Sequence, residues 1–327
     1  MANTTEDFAH KAIDRHILTL DKKLHREYAK ALKQMENEAN KYLIQFKTED
    51  AVMRKKFIMG TISKKDYIAW RQRKILEGKR YDGLINQLAS DLSKTNELAC
   101  ITINKSLPES FIVAANYSAY EIERTLKGAV SFGIYNKDAV AELLKENPVY
   151  LPKASIDFPK DIRWNKQKIN SALVQGILQG ESIGKIAKRL MFVTDMNEHS
   201  SRRNARTLHT AAESIGRIDS YKRAEKMGID MQNQWITTHD NRSRDAHREL
   251  DGQIKNVGEA FWNSIGKIRY PSDPQAHPTN VYNCRCSLRG VIKGHPYKTD
   301  RFSGADYEAW KKGKIAYAEY LRSGHNG

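Results

Sequence analysis

The first fifty residues carry an apolar stripe that requires a long helix. Its members recur at steps of three or four residues and are Ile13, Ile17, Leu20, Leu24, Tyr28, Leu32, Met35, Ala39, Leu43 and Phe46. With 3.6 residues per turn these positions share one face, while Lys, Glu and Asp occupy the others. Neither proline nor glycine interrupts residues 2–59. About 40 helical residues extend about 60 Å, so we predict an arm or a strut of a helical bundle.

Helical periodicity continues along most of the chain and changes near residue 230. The pattern predicts further helices at 63–78, 81–106, 109–127, 138–146, 162–178, 183–190, 200–227 and 306–321, with Pro108 and Pro148 as stops. Between 231 and 292, frequent glycine and proline with short apolar runs favour turns and short strands. The expected fold class is therefore mainly α with a small C-terminal α+β domain. Long N-terminal helices precede a compact, turn-rich domain with short strands.

The same pattern suggests four segments. These are a helical arm or bundle at 1–150, the helical part of a second domain at 151–230, its small α+β part at 231–292, and a helical tail at 293–327.

Charge is the most pronounced feature of the composition. The chain has 55 basic and 39 acidic residues, a net charge of +16, of which residues 151–327 carry +11. A basic half is typical of chains that contact nucleic acid, although dispersed basic residues equally suit a solvated surface. No apolar run approaches the roughly 18 residues of a membrane span, so we expect no membrane partner. Three cysteines are too few for a disulfide framework.

Ionisable and turn-forming residues are dense between positions 235 and 286. The candidates are Trp235, Asp240, Arg242, Arg244, His247, Asp251, Gly252, Phe261, Asn283, Cys284, Arg285 and Cys286. We favour a structural interpretation in which Asp240 pairs with Arg242 and Arg244 and braces a loop-rich domain. Arg285 is expected to pair with Asp240 or Asp273, and Asn283 to bond its own backbone in a turn. Trp235, Phe261 and Trp262 are expected to form the small core.

A zinc site is the less favoured alternative for the two nearby cysteines. His247, His277, Cys284 and Cys286 would supply four suitable ligands. Structural zinc sites usually space paired cysteines two to four residues apart, and Cys284 and Cys286 have one residue between them. We therefore expect two small buried side chains, with Arg285 pointing the other way, and assign no cofactor.

Two catalytic alternatives use the same region and are also less favoured. In the first, Cys284 is a nucleophile with His247 as base and Asp240 or Asp251 as orienting group. In the second, Asp240, His247 and Glu259 hold a divalent ion for phosphodiester cleavage. The spacing supports neither, so no catalytic residue is assigned.

The order of these motifs resembles the phage Mu protein F-like family of phage head morphogenesis proteins. The resemblance rests on residues 235–238, 240–244, 250–252, 270–274 and 283–286, together with His247 and Phe261. Upstream, residues 179–183 resemble the family's turn before a helix, and 205–207 resemble its Arg-Thr-Glu element, with Leu208 in place of Glu. The matching region spans about residues 165–290.

This resemblance implies a minor capsid protein of a tailed phage or prophage. Its implied partners are the portal protein, other capsid or scaffold proteins and non-specifically bound DNA. Its implied location is the virion, inside the capsid near the portal, after assembly in the host cytoplasm, with a possible role in DNA packaging or ejection. The alternative from a different functional class is an enzyme, either a metal-dependent nuclease or a transferase, using residues 240–286.

Overall fold

The computed structural model describes residues 7–295 and 304–322. Ten helices fall within these ranges: α1 (Phe8–Ile44), α2 (Lys47–Ile58), α3 (Lys64–Ile75), α4 (Lys79–Thr125), α5 (Lys137–Glu146), α6 (Phe158–Leu178), α7 (Ile183–Lys226), α8 (Asp245–Arg248), α9 (Pro278–Val281) and α10 (Gly304–Arg322). Five strands accompany them: β1 (Met231–Ile236), β2 (Ile254–Asn256), β3 (Phe261–Asn263), β4 (Gly266–Ile268) and β5 (Ser287–Ile292). The predicted class, mainly α with a small α+β part, is confirmed. No helix in the described ranges has both the length and the hydrophobicity needed to cross a membrane.

The described residues form two compact units. The first contains residues 7–20, 103–154, 203–295 and 304–322, and the second contains residues 21–102 and 155–202. Helices α1, α4 and α7 each contribute one segment to each unit.

The second unit is helical and contains a buried polar chain within its apolar core. The Tyr28 hydroxyl donates to Asn96 over 2.7 Å, and the Asn96 amide donates to Asn197 over 2.6 Å. Asn197 in turn donates to Asn165, and all four side chains are buried. Because each buried amide has a partner, this series of hydrogen bonds fixes the register of the helices that carry these side chains.

Helices α7 and α4 pack closely in the first unit, at Gly216. A Cβ atom on Gly216 would lie 2.5 Å from the carbonyl oxygen of Phe111 and 3.2 Å from the amide nitrogen of Ala115. Only glycine allows the two backbones to approach this closely. The buried rings of Tyr117, Tyr120 and Tyr307 form an aromatic cluster in the same unit.

Buried ions also hold the first turns of α1 to α7 in this unit. Arg217 is fully buried and donates to Asp7 over 2.8 Å and to Glu213 over 3.0 Å. His10 Nδ1 lies 2.9 Å from a Glu213 oxygen. The charges of Arg217 and protonated His10 balance those of Asp7 and Glu213, which offsets the cost of burying them.

The small α+β part belongs to the first unit. Strand β1 is central in a three-stranded antiparallel sheet of order β2-β1-β5, with Trp235 opposite Leu288. Strands β3 and β4 form a separate antiparallel hairpin, with Phe261 opposite Ile268.

Three helix boundaries differ from the sequence-based prediction. Helix α4 runs through Pro108, and α7 is continuous where two helices were predicted at 183–190 and 200–227. Proline removes one N–H and one hydrogen bond, but Leu107 and Phe111 remain buried on either side of Pro108 and keep the helix packed. In α7, Val193 and Asn197 continue the buried face across the expected gap. The glycine-free segment up to Met59 contains a break, because α1 ends at Ile44 and α2 begins at Lys47.

Candidate functional site

The candidate site is built around Trp235 at the end of β1. Its side chain is fully buried, and Phe261 packs against it with ring centroids 5.3 Å apart at 69°. Leu250, Cys284 and Cys286 complete the same apolar cluster. The rings and thiols therefore form the small core on which the polar loops are anchored.

Two cysteines and one histidine converge inside this core. The Nδ1 atom of His247, on α8, lies 3.6 Å from Cys284 Sγ and 3.4 Å from Cys286 Sγ. The three ligand atoms lie within 4.8 Å of one another, and all three residues are buried. Thr237 fixes α8 by donating from its hydroxyl to the His247 carbonyl over 2.7 Å. Within residues 7–295 and 304–322, this is the only cluster of three such groups placed to share an ion.

The two thiols of this cluster differ electrostatically. Burial raises the pKa of the Cys284 thiol well above its usual range, and the neighbouring Cys286 adds to that increase. The hydrogen bond from Cys284 lowers the pKa of Cys286, and His247 lowers it further. Cys286 is therefore the first of the pair to become a thiolate. All three cysteines of the chain are free, so the pair is not bridged.

Asp240 and Arg285 form a bidentate ion pair at the site. Both guanidinium ends of Arg285 donate to the Asp240 carboxylate, one of them over 2.6 Å, and the Arg242 N–H donates over 3.0 Å. The hydrogen bond from Arg285 is the main reason that the pKa of Asp240 lies far below its usual range. The Thr238 hydroxyl also donates to the Arg285 carbonyl. The loop after β1 is thus tied to the segment before β5.

Asp251 and Gly252 brace the other side of β1. One Asp251 oxygen accepts from the Thr237 N–H over 2.7 Å, and the other lies 3.0 Å from His239 Nε2. Gly252 has φ +78° and donates to the Trp235 carbonyl. A left-handed residue is needed here to close the turn, and glycine adopts that conformation at the lowest cost.

Helix α7 holds the turn that presents Cys284. Asn283 has φ +56°, a conformation that asparagine tolerates better than most residues, and its N–H donates to the Thr207 hydroxyl. The Thr210 hydroxyl donates to the Cys284 carbonyl over 3.1 Å. Arg244 donates to the Tyr282 carbonyl from the opposite side. Thr210 was not identified from the sequence; its spacing of three residues from Thr207 on one helix face was the available signal.

Several expected contacts are replaced by others. Arg285, rather than Arg242 or Arg244, makes the bidentate pair with Asp240, and Asp273 pairs with Arg269 instead. The Arg242 side chain is largely exposed and approaches Asp240 only to 3.7 Å. Asn283 acts through its backbone N–H, which bonds a neighbouring helix rather than its own turn.

Trp262 is 61% exposed, so its expected place in the core is wrong. Alternating residues of a strand face opposite sides, and Phe261 takes the inner position of β3.

Of the proposed catalytic and zinc groupings, only His247 and the two cysteines come together in the described part of the chain, and neither Asp240 nor Asp251 is hydrogen-bonded to His247 there. His277 is exposed and caps α9 by accepting from the Thr279 N–H, away from the His247 cluster. Asp240 and Asp251 bond Arg285 and Thr237 respectively. Glu259 accepts from Asn256 in the turn after β2. Each of these three carboxylates thus has a structural partner of its own.

Comparison with known proteins gives one family and two relatives. Residues 167–289 match the family described as Phage Mu protein F like protein. The minor head protein GP7 of Bacillus phage SPP1 is 26% identical over 320 residues, which cover 94% of this chain and 96% of that protein. An NAD(+)–arginine ADP-ribosyltransferase, EFV, of Enterococcus faecalis strain ATCC 700802 / V583 is 27% identical over 175 residues. That alignment covers 54% of this chain and 36% of the enzyme. No solved structure matches significantly.

Proposed function

We propose that this chain is a minor head protein of a tailed phage or prophage, because residues 167–289 match the family described as Phage Mu protein F like protein. In this proposal it joins the assembling head, associates with the portal protein and remains inside the capsid near the packaged DNA. The observation that carries the proposal is the alignment with the SPP1 minor head protein, which runs almost end to end in both chains.

The structure of the domain suits an assembly role. Its ionisable groups are used within the chain, as in the Asp240–Arg285 pair and the Asp251 contact with Thr237. Such pairing stabilises a turn-rich domain that has only a small core. A catalytic pair would instead need access to substrate and a group that orients the base, whereas Cys284 and His247 are buried and His247 Nε2 has no hydrogen-bond partner among the described residues.

The charge of the chain supports contact with DNA inside the head. A net charge of +16 favours binding to a dense polyanion through release of counterions. Because the basic residues are dispersed, we expect binding without sequence preference.

The second candidate function is a transferase, and its support is the alignment with the ADP-ribosyltransferase. That alignment leaves 64% of the enzyme without a counterpart in this chain. We therefore favour the non-enzymatic role. Purified chain incubated with NAD(+) and an arginine-containing acceptor peptide is expected to release no nicotinamide above the level of a heat-denatured sample.

Co-purification tests the assembly role. The affinity-tagged chain is co-expressed separately with the portal, scaffold and major capsid proteins of the same phage. We expect the portal to be retained with the chain, whereas the portal of an unrelated phage, used as the matched control, is not. Retention of both portals, or of neither, contradicts the proposed association.

A further inference from the structure

His247, Cys284 and Cys286 form a buried cluster that has no part in the proposed head assembly. Each sulfur lies 3.4–3.6 Å from the same nitrogen, Nδ1 of His247. Nδ1 has one hydrogen-bonding position, which accepts when the nitrogen is unprotonated and donates when it carries the proton. It therefore cannot bond fully to both sulfurs. A metal ion between the three atoms would instead bind both sulfurs and the nitrogen together.

The distances fit such an ion. Tetrahedral zinc with Zn–S bonds of about 2.3 Å and Zn–N bonds of about 2.0 Å separates each sulfur from the nitrogen by about 3.5 Å. The two observed separations of 3.4 and 3.6 Å bracket that value. Hence the nitrogen already lies at a zinc-ligand separation from each sulfur, and the two sulfurs are within 4.8 Å of each other.

We propose that His247, Cys284 and Cys286 bind one zinc ion, with a water molecule as the fourth ligand. Thiolate and imidazole donors are the set that zinc prefers. Two thiolates and one divalent cation sum to zero charge, which suits a site whose three residues are at most 4% exposed.

The single residue between the cysteines is accommodated by the extended backbone before β5. Arg285 turns outward to Asp240, while Cys284 and Cys286 turn inward to the same core. Because side chains alternate along an extended segment, the two sulfurs lie on the same face of it.

Bound zinc would tie α8 to the segment before β5. Since metal binding energy becomes folding energy, the α+β part should lose stability when zinc is removed. This role rests on the cluster alone and does not depend on head assembly.

Elemental analysis of the full, untagged chain tests the proposal. The protein is expressed in zinc-supplemented medium and purified under reducing conditions without chelators. We expect about one zinc per chain, falling at least about tenfold in Cys284→Ser and in Cys286→Ser. The matched controls Cys100→Ser and His277→Asn should retain the wild-type amount.

Cobalt substitution keeps the test decisive if the serine variants fail to fold. Cobalt bound by the wild-type chain should show thiolate-to-cobalt charge-transfer absorption, and Cys100→Ser should show the same spectrum. Folded wild-type protein with less than about a tenth of a zinc equivalent after zinc loading and desalting would overturn the proposal. So would cobalt uptake without the thiolate band, or the recovery of copper or iron in place of zinc.

Discussion

The buried pair of His10 and Glu213 should make the stability of this protein depend on pH. Burial lowers the pKa of His10, but the attraction and hydrogen bond of the Glu213 carboxylate, together with nearby carboxylates, outweigh that effect and raise the pKa from 6.5 to about 9. His10 Nδ1 lies 2.9 and 3.1 Å from the two Glu213 oxygens, and the Glu213 side chain is 2% exposed. Asp7 and Asp14 also favour the charged imidazole.

The size of the effect follows from the two pKa values. A folded-state pKa of about 9 against 6.5 corresponds to about 3–4 kcal/mol of unfolding free energy, at about 1.4 kcal/mol per pKa unit. Because the folded pKa is the higher one, this stabilisation is fully present below pH 6.5. It is lost as the pH rises through 9.

Urea unfolding followed by circular dichroism measures the effect. Between pH 6 and pH 9.5 we expect the wild-type chain to lose about 3 kcal/mol more than His10→Asn loses. The matched control is His25→Asn, which removes the pair between His25 on α1 and Glu198 on α7, where the imidazole is 67% exposed. That control should keep the wild-type pH dependence. Equal slopes for wild type and His10→Asn would refute the reasoning.

Three further predictions concern packing, the loop after β1 and DNA. In thermal unfolding, Gly216→Ala should destabilise the protein by about 1–3 kcal/mol, because the new Cβ would meet the α4 backbone. Gly83→Ala has open space around it and should stabilise the protein by about 0.5–1 kcal/mol. Asp240→Asn should accelerate tryptic cleavage in the loop held by Arg285, while Asp245→Asn, at a 93% exposed side chain, should leave the cleavage rate unchanged. Duplex DNA binding should be independent of sequence and should weaken steeply with salt; salt-insensitive binding would contradict the charge argument.

Periodicity predicted the helical class because it depends only on local spacing. The stripe containing Leu24, Tyr28 and Met35 is buried along α1, and Ser63 with Asp66 forms a capping box at the start of α3, close to the predicted start at residue 63. The proline at position 108 predicted a helix end that the structure does not show. Burial on both sides of the proline keeps α4 continuous, and burial is a tertiary property that sequence spacing does not reveal.

The motifs of the site could be predicted, but not all their partners. The sequence predicted that Arg285 pairs with Asp240 or with Asp273, and the structure shows the pair with Asp240, while Asp273 pairs with Arg269. The choice depends on how β1 and β5 pair, which brings together residues far apart in the sequence. The convergence of His247 with the cysteines depends on the same pairing. The spacing of the cysteines along the chain therefore did not reveal that His247 lies beside both of them.

Quantitative mass spectrometry of purified procapsids tests most directly whether this chain is a minor component of an assembled phage head. The procapsids are assembled either with or without the portal protein. We expect the chain in few copies relative to the major capsid protein, and its loss from particles assembled without the portal. Its absence from complete procapsids, or an unchanged amount without the portal, would contradict the account.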